Sequence, residues 1–330
     1  MNWLELYGQA QASGEAAAGY YNRNVGVRTA EGKVNVRIPL AAADTMDVRI
    51  WDEEDVLDCI RPYVSRAPQL RHVSLDPRFQ VHHFIEGRVL DSFSPRGSSV
   101  PEHVIDDVVG VMEQLVRIPP EKAPPLPVDW PESGDGAGFG RLLARLTQQV
   151  HDTHRDEYAA VFADFGVPEE PLAVLEPLWD GLVSRPFAVL HADLHRKNMI
   201  VSDGTTWFLD WELALWGDPL YEIGIHFHKM DYPAGQRAEV LRRWRDRLPV
   251  SATVGPEADL DLYLAHERVK SAIVDTVRYS KQLVGAPSAV VEFLTHRLAK
   301  KLNVARPVWG AAPDMTPERV TRTLAPWVEG

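Results

Sequence analysis

The sequence contains a single cysteine, Cys59, so no disulfide bond can form within the chain. It also contains no apolar run approaching the roughly 20 residues that a helix needs to cross a bilayer. The opening stretch, MNWLELYGQAQASGE, has no basic segment followed by an apolar core, which a secretory signal requires. These absences predict a cytoplasmic protein without a membrane partner.

Basic residues are in the minority. The 35 Lys and Arg residues stand against 47 Asp and Glu residues, which gives a formal net charge of −12. A general nucleic-acid binder needs a basic surface, so we expect no nucleic-acid partner. The negative charge suits a cationic small substrate, and ordinary solubilising charge is the alternative explanation. The length of 330 residues is large for one core and predicts two lobes.

Most of the side chains that can do chemistry lie in one stretch, residues 187–224. Its pattern predicts three short apolar strands, at 187–190, 199–201 and 207–209. Asp203-Gly204 supplies a tight turn between the last two strands. The polar residues between the strands therefore stand at strand ends, where side chains from neighbouring loops can meet.

Asp193, Asn198 and Asp210 occupy these strand ends. Carboxylate and amide oxygens are hard ligands that suit Mg²⁺. The order of a base, an amide ligand and a carboxylate ligand across a hairpin is that of the kinase catalytic loop and its metal-binding aspartate. A zinc site formed by His191, Asp193 and His195 is the competing interpretation, but no further zinc ligands accompany these residues at suitable spacing. A buried strand pair with polar turns is the other alternative.

The segment HADLHRKN, followed by FLDWELALWGDPLYEIG, resembles the motifs of the aminoglycoside phosphotransferase and choline kinase family. These small-molecule kinases share the protein-kinase fold. Ala192 stands where the family usually has Gly, and Glu222 stands where it usually has Asp. Arg196 and Lys197 replace a frequent Pro-Gly, so they are expected to add positive charge beside the phosphates.

The resemblance implies an α+β, bilobal protein-kinase-like fold. Residues 1–87 are expected to form a nucleotide-binding lobe with a small antiparallel sheet. Residues 88–330 are expected to form a larger, mainly helical lobe with the catalytic loop and the substrate pocket. The implied cofactors are Mg²⁺ and a phosphoryl donor, ATP or GTP, which backbone recognition of the base leaves undecided. A monomer and a homodimer are both compatible with the sequence.

The same resemblance implies roles for the residues of the central stretch. Asp193 is expected to be the catalytic base that orients the acceptor hydroxyl group and takes its proton. His195 or Lys197 is expected near the transferred phosphoryl group, where positive charge would stabilise the transition state. Asn198 and Asp210 are the expected Mg²⁺ ligands.

Two further residues are expected to be structural. His191 should fix the catalytic loop. Asp218, in the segment Gly217-Asp218-Pro219, should cap the following helix, with Pro219 at its first position. The resemblance also gives Asp218 a role in bracing the loop.

Alternating valines predict a β-hairpin after Gly19, which would cover the phosphates. Arg37 on its second strand is the expected phosphate ligand, because its planar fork can bind phosphate at two points. Lys33 is the alternative. Glu53, or else Glu54, is expected to pair with Arg37. The full set of expected nucleotide-binding residues is Gly19, Asn22, Arg37, Glu53 and the hinge residues His83, Phe84 and Ile85.

The substrate contacts are expected on the helical side of the chain. A long helix is predicted from 260 to 283, and its polar residues Tyr263, His266 and Glu267 are candidates for substrate binding, as is Asp231. A partly exposed helix with ordinary side-chain pairs is the alternative interpretation.

These expectations combine into a predicted enzyme, a phosphotransferase with an alcohol group as acceptor. Resemblance to antibiotic kinases and a count of only 8 Lys against 27 Arg favour a GC-rich bacterial source and an antibiotic acceptor. The acceptor could be aminoglycoside-like or another hydroxylated antibiotic. A metabolic kinase acting on choline, an amino alcohol or a sugar is one alternative. A catalytically silent nucleotide-binding regulator is the other.

Overall fold

The structure is a computed structural model that describes residues 2–14, 17–18, 22–40, 46, 49–255 and 257–329. The chain packs into two compact units. The first unit comprises Met1–Pro127, Phe187–Glu222 and Lys229–Val250, and the second comprises Val128–Pro186, Ile223–His228 and Ser251–Gly330. Each unit combines separate stretches of sequence, and the boundary expected after residue 87 stays a prediction.

Within the described part of the first unit, five strands form an antiparallel sheet in the order β1-β2-β3-β5-β4. They are Ala17–Ala18 (β1), Asn22–Thr29 (β2), Gly32–Pro39 (β3), Leu70–Leu75 (β4) and Arg78–His83 (β5). The predicted hairpin is present as β2 and β3, which pair from Asn22 opposite Pro39 to Thr29 opposite Gly32. Gly32 closes the turn with a φ of 118°, a conformation that favours glycine.

One face of this sheet is apolar and carries the core of the first unit. The buried residues from the strands are Val25, Val27, Val34, Val36, Ile38, Phe79 and Val81. Helix α1 (Trp3–Ala12) packs on them through Leu6 and Ala10. Because side chains alternate along a strand, Arg37, which lies between two core residues, points to the opposite face of the sheet.

Two smaller sheets carry the central stretch. The strands are Arg88–Val89 (β6), Ala188–Leu190 (β7), Met199–Ser202 (β8), Thr205–Phe208 (β9) and Leu215–Gly217 (β10). β7 pairs with β10, while β8 lies between β6 and β9. Asp203 and Gly204 connect β8 to β9 with φ values of 48° and 71°. Two positive φ values are typical of a type I′ hairpin turn, so the predicted tight turn is confirmed.

The remaining helices in chain order are Glu53–Ile60 (α2), Glu102–Leu115 (α3), Gly136–Phe165 (α4), Pro219–Met230 (α5), Ala234–Arg247 (α6), Val250–Thr253 (α7), Glu257–Leu283 (α8), Ser288–Ala305 (α9) and Pro317–Glu329 (α10). In the second unit, α8 packs against α4, α9 and α10. Residues Ala173–Gly181 form a 3₁₀ helix that contains Pro177. Proline lacks the backbone N–H that a regular α-helix would use there.

The predicted α+β class is confirmed, with a small antiparallel sheet early in the chain and a larger, mostly helical part. None of the helices in the described ranges is both long enough and apolar enough to cross a membrane.

Candidate active site

His191 follows the buried strand β7 and is itself fully buried. Its Nδ1 accepts a hydrogen bond from the backbone N–H of Asp193 at 3.3 Å, which leaves Nε2 to donate to the carbonyl oxygen of Leu209 at 3.1 Å. Burial lowers the pKa of His191 to about 4, so the ring is neutral at pH 7 and can make both bonds. His191 thus joins its loop to the residue that follows β9, and its role in fixing a catalytic loop stays a prediction.

Ala192 has a φ of 56°, a strained conformation for a residue other than glycine. Its backbone N–H donates to Oε2 of Glu222 at 2.9 Å. Glu222 lies in the first turn of α5 and is buried, and its Oε1 has no hydrogen-bond partner among the described residues. Burial raises the pKa of Glu222 to about 7. This carboxyl group therefore binds the backbone of the loop at Ala192 through one oxygen. Its other oxygen receives no hydrogen bond from the described residues.

Asp218 caps α5, as predicted. Its Oδ1 accepts a hydrogen bond from the backbone N–H of Leu220 at 2.9 Å, and its side chain is fully buried. The further role of Asp218 in bracing the catalytic loop stays a prediction.

Asp193 is buried, and both of its carboxylate oxygens are engaged. Nδ2 of Asn198 donates to Oδ2 at 2.8 Å, and Nε2 of His195 lies 3.5 Å from the same oxygen. Lys229, in the last turn of α5, forms an ion pair with Oδ1. Burial by itself would raise the pKa of Asp193, but the charge of Lys229, followed by that of His195, holds it well below its usual range. The group is therefore a carboxylate at neutral pH.

Arg37 joins three carboxylates. Its Nη2 lies 2.5 Å from Oδ1 of Asp210 and 2.7 Å from Oε2 of Glu212, while its Nη1 lies 3.3 Å from Oε1 of Glu53. The same Glu53 oxygen accepts a hydrogen bond from the backbone N–H of Trp211 at 3.0 Å. The predicted ion pair between Arg37 and Glu53 is present, and the binding of phosphate by Arg37 stays a prediction.

Glu212 is a member of this cluster that the sequence analysis did not assign. Besides Arg37, it accepts hydrogen bonds from Nδ2 of Asn22 at 2.8 Å and from Nη2 of Arg49 at 2.9 Å. Burial raises its pKa, and the nearby Asp210 adds to this, while the two arginines oppose it. The sequence feature that could have identified Glu212 is its position in the motif FLDWE, two residues after Asp210, the candidate metal ligand.

Lys33, the alternative to Arg37, has a different partner. Its Nζ lies 3.6 Å from the centroid of the Phe84 ring, a cation–π contact. Glu54, the alternative to Glu53, is partly buried and makes no described contact with Arg37. Which of Arg37 and Lys33 binds phosphate stays a prediction.

One hydrogen-bonded framework carries the three residues of the predicted catalytic set. The backbone N–H of Leu209 donates to the carbonyl oxygen of Asn198 at 2.8 Å, and the carbonyl oxygen of Leu209 accepts from His191. Asp210 is the next residue, with a φ of 66°. Leu209 thus holds the backbone before Asp210 against the loop that bears Asp193 and Asn198.

The oxygen donors of Asn198 and Asp210 fit Mg²⁺. The amide nitrogen of Asn198 is directed at Asp193, so its Oδ1 is directed away from that carboxylate. The side chain of Asp210 is 32% exposed, which leaves room for a ligand on the side that Arg37 does not cover. An amide oxygen and a carboxylate are hard donors of the kind that Mg²⁺ selects. Their role as ligands stays a prediction.

The two basic residues of the loop do not behave alike. Lys197 is exposed, and among the described contacts its side chain makes none with Asp193. Arg196 is buried and donates to the carbonyl oxygens of Ser94 at 2.7 Å and Ser98 at 2.6 Å. The expectation that Arg196 adds charge beside the phosphates was wrong, because its guanidinium group is buried and donates hydrogen bonds to backbone carbonyl oxygens.

The expected hinge and phosphate loop are only partly described. Gly19 lies outside the described residues. His83 ends β5, and its backbone N–H donates to the carbonyl oxygen of Gln69 at 2.9 Å. Phe84 and Ile85 follow the strand. Recognition of a base by the N–H of His83 would require this hydrogen bond to break, so the hinge role stays a prediction.

The substrate candidates occupy dissimilar environments. In the first unit, Asp231 is exposed, and its Oδ2 lies 3.7 Å from Nε of Arg96. In the second unit, Tyr263, His266 and Glu267 of α8 are 0%, 1% and 2% exposed. Such positions offer no surface for a substrate, so the described geometry gives these three no support as substrate contacts.

Solved structures of similar fold include kinases of small molecules. A choline/ethanolamine kinase family protein from Mesorhizobium loti aligns over 99% of both chains, with 15% identity and a TM-score of 0.57. Macrolide 2′-phosphotransferase type I aligns over 89% of this chain and 96% of its own, with 16% identity and a TM-score of 0.55. A thermostable mutant of aminoglycoside phosphotransferase APH(4)-Ia, with ADP and hygromycin B, aligns over 97% of both chains, with 15% identity and a TM-score of 0.54.

The fold class is therefore that of the kinase-like phosphotransferases. The sequence model described as the phosphotransferase enzyme family matches residues 14–255, and the chain belongs to this family. Among curated protein sequences, none matches the chain.

Proposed function

We propose that this protein transfers the γ-phosphoryl group of ATP to a hydroxyl group of a small molecule, with a hydroxylated antibiotic as the acceptor. The observation that carries the proposal is the buried pair of Asp193 and Asn198, joined through Leu209 to Asp210 and its ion pair with Arg37. ATP is the preferred donor because a structure of similar fold contains ADP, and the antibiotic hygromycin B is bound in the same complex. The cytoplasm is the compartment that suits such an activity.

The chain supplies the base and the positive charge that phosphoryl transfer requires. Asp193 accepts a hydrogen bond from the acceptor hydroxyl group and takes its proton as the new bond to phosphorus forms. Arg37 binds the non-transferred phosphates, exchanging part of its contact with Asp210 for them. Asn198 and Asp210 would hold Mg²⁺, which neutralises charge on the phosphates when it is bound.

A kinase of choline or ethanolamine is the second candidate. The observation that favours it is the fold similarity to the Mesorhizobium loti protein, which covers almost all of both chains. A silent nucleotide-binding regulator is less well supported, because the chain keeps a carboxylate base together with both candidate metal ligands.

A phosphotransfer screen tests the proposal. The purified protein is incubated with Mg²⁺ and either ATP or GTP, together with hygromycin B, other aminoglycosides, macrolides, choline or ethanolamine, and ADP or GDP release is coupled to NADH oxidation. We expect ATP-dependent turnover with an antibiotic and a phosphorylated product of matching mass. Turnover with choline or ethanolamine alone would support the second candidate. Nucleotide binding without turnover across the whole panel would overturn the proposal in favour of a regulator.

The variant Asp193→Asn tests the role of the base. It keeps the size and a hydrogen-bonding oxygen but cannot take a proton, so we expect kcat to fall by roughly 10²- to 10⁴-fold. Affinity for AMP-PNP, measured by isothermal titration calorimetry, should change little. Asp203→Asn is the matched control, because Asp203 lies in the exposed β8–β9 turn and Asn tolerates its positive φ. Full activity of the Asp193 variant would show that another group takes the proton.

A further inference from the structure

Lys229 meets the catalytic carboxylate from a distant part of the chain. It is the second-last residue of α5 and lies 36 positions after Asp193. Its ammonium group forms an ion pair with Oδ1 of Asp193. The Lys229 side chain is 25% exposed, against 10% for that of Asp193. The buried base thus contacts a cation that is itself more exposed to solvent.

The contacts of Asp193 determine where an acceptor hydroxyl group can bind. Asn198 occupies Oδ2 at 2.8 Å, and His195 lies 3.5 Å from the same atom. Lys229 occupies Oδ1. Two groups that bond to one carboxylate oxygen lie within about 3–5 Å of each other, given hydrogen bonds of ~2.8 Å. A hydroxyl group that shares Oδ1 therefore comes into contact with the Lys229 ammonium group.

We propose that Lys229 is a catalytic residue that contacts the transferred phosphoryl group. The inference rests on the proposed phosphotransfer activity. In that reaction the acceptor oxygen forms a bond to the γ-phosphorus while the bond between this phosphorus and the β–γ bridging oxygen breaks. ADP leaves with the electron pair, and the hydroxyl proton goes to Asp193. Negative charge on the equatorial oxygens of the phosphoryl group lies beside the ammonium group of Lys229, which stabilises it.

The other basic side chains of this region are less well placed. Arg196 is buried against Ser94 and Ser98, and Lys197 is exposed without a described side-chain contact to Asp193. Within the described ranges, the cations that contact Asp193 are Lys229 and, when it is protonated, His195. Among the described residues, Lys229 is thus the lysine or arginine that contacts the base.

The test compares Lys229→Met with Lys229→Arg, and uses Lys300→Met on the exposed face of α9 as the matched control. Steady-state kinetics are measured with Mg-ATP and the acceptor that the wild-type protein uses best in the panel above. We expect Lys229→Met to lower kcat by roughly 10²- to 10³-fold, the range for loss of one preorganised charge. Its KM for the acceptor and its affinity for AMP-PNP should stay within about threefold, and Lys229→Arg should recover at least tenfold in kcat. A loss of less than threefold in kcat would overturn the proposal.

A second measurement separates contact with the phosphoryl group from an indirect effect through Asp193. Lys229→Met is combined with Asp193→Asn, and the two single variants complete the cycle. Direct contact predicts that the Lys229 change still lowers kcat by about tenfold or more when Asp193 is already replaced. No further loss in that background would make Lys229 a positioning residue and overturn the proposal. If the wild-type protein phosphorylates nothing in the panel, the proposed function itself fails, which is a distinguishable result.

Discussion

Replacement of Glu222 by Gln should make the protein more stable at alkaline pH. Burial raises the pKa of Glu222 from 4.5 to about 7, so ionisation of this group costs more free energy in the folded state than in the unfolded state. Its contribution to stability is present below about pH 4.5 and is lost as the pH rises through 7. The whole interval corresponds to about 3 kcal/mol of unfolding free energy, because each pKa unit is worth about 1.4 kcal/mol. The Gln side chain cannot ionise, so the variant avoids this loss.

Urea unfolding measures the effect. The free energy of unfolding of the wild-type protein and Glu222→Gln is determined at pH 5, 6, 7 and 8 from tryptophan fluorescence and far-ultraviolet circular dichroism. Between pH 5 and pH 8, the stability of the variant relative to wild type should rise by about 2–3 kcal/mol, mostly between pH 5 and pH 7, and should level off above the folded-state pKa. Glu132→Gln, a change of the same kind at an exposed position, is the control and should show no such trend.

An equal difference between Glu222→Gln and wild type at pH 5 and at pH 8 would refute the reasoning. It would mean that the hydrogen bond from the backbone N–H of Ala192 to Oε2 stabilises the charged form enough to offset burial. The unpartnered Oε1 would then need solvation that the described residues do not provide.

Arg37→Met should lower the free energy of unfolding by about 3–5 kcal/mol and weaken AMP-PNP binding at least tenfold, because three carboxylates lose a buried partner. Thermal unfolding and titration calorimetry measure the two effects, and unchanged nucleotide affinity would exclude Arg37 as a phosphate ligand. Lys301→Met should cost about 3 kcal/mol at pH 7, since it removes the ammonium group that forms an ion pair with the buried carboxylate of Asp275. Burial alone would raise the pKa of Asp275, but Lys301 holds it at about 2, so the ion pair stabilises the protein above pH 4 and loses this effect as the pH falls towards 2. Thermal unfolding at pH 7 and pH 3 should therefore show a smaller deficit at pH 3, and an equal deficit would contradict this account.

Local patterns predicted much of the secondary structure. The Asp203-Gly204 turn and the β2–β3 hairpin follow from short-range geometry, because turn residues and hydrophobic periods act within a few positions of the chain. The apolar segment Ala173–Gly181 forms a 3₁₀ helix and not an α-helix, since Pro177 interrupts it. A hydrophobic pattern does not show whether each backbone N–H and C=O group of a segment can form its hydrogen bond.

The environment of each polar residue was harder to predict. Arg196 and Lys197 are neighbours of the same charge type, yet one is buried as an anchor and the other is exposed. Tyr263, His266 and Glu267 have polar atoms that a pattern assigns to a binding surface, and the packing of α8 buries them instead. The burial of a side chain depends on which other parts of the chain pack around it. The local sequence of one segment does not determine those parts.

The sequence by itself determined the family, the order of the candidate base and metal ligands, and the choice of Arg37 and Glu53 as partners, because these depend on motif spacing and strand alternation. Only the tertiary structure decided that Lys229 pairs with Asp193, that Glu212 links Arg37 to Arg49 and Asn22, and that Glu222 is buried beneath the loop. These contacts join residues up to 190 positions apart. The free energy of such contacts depends on the burial of each group and on the charges near it. Only the folded chain determines which groups lie next to each other.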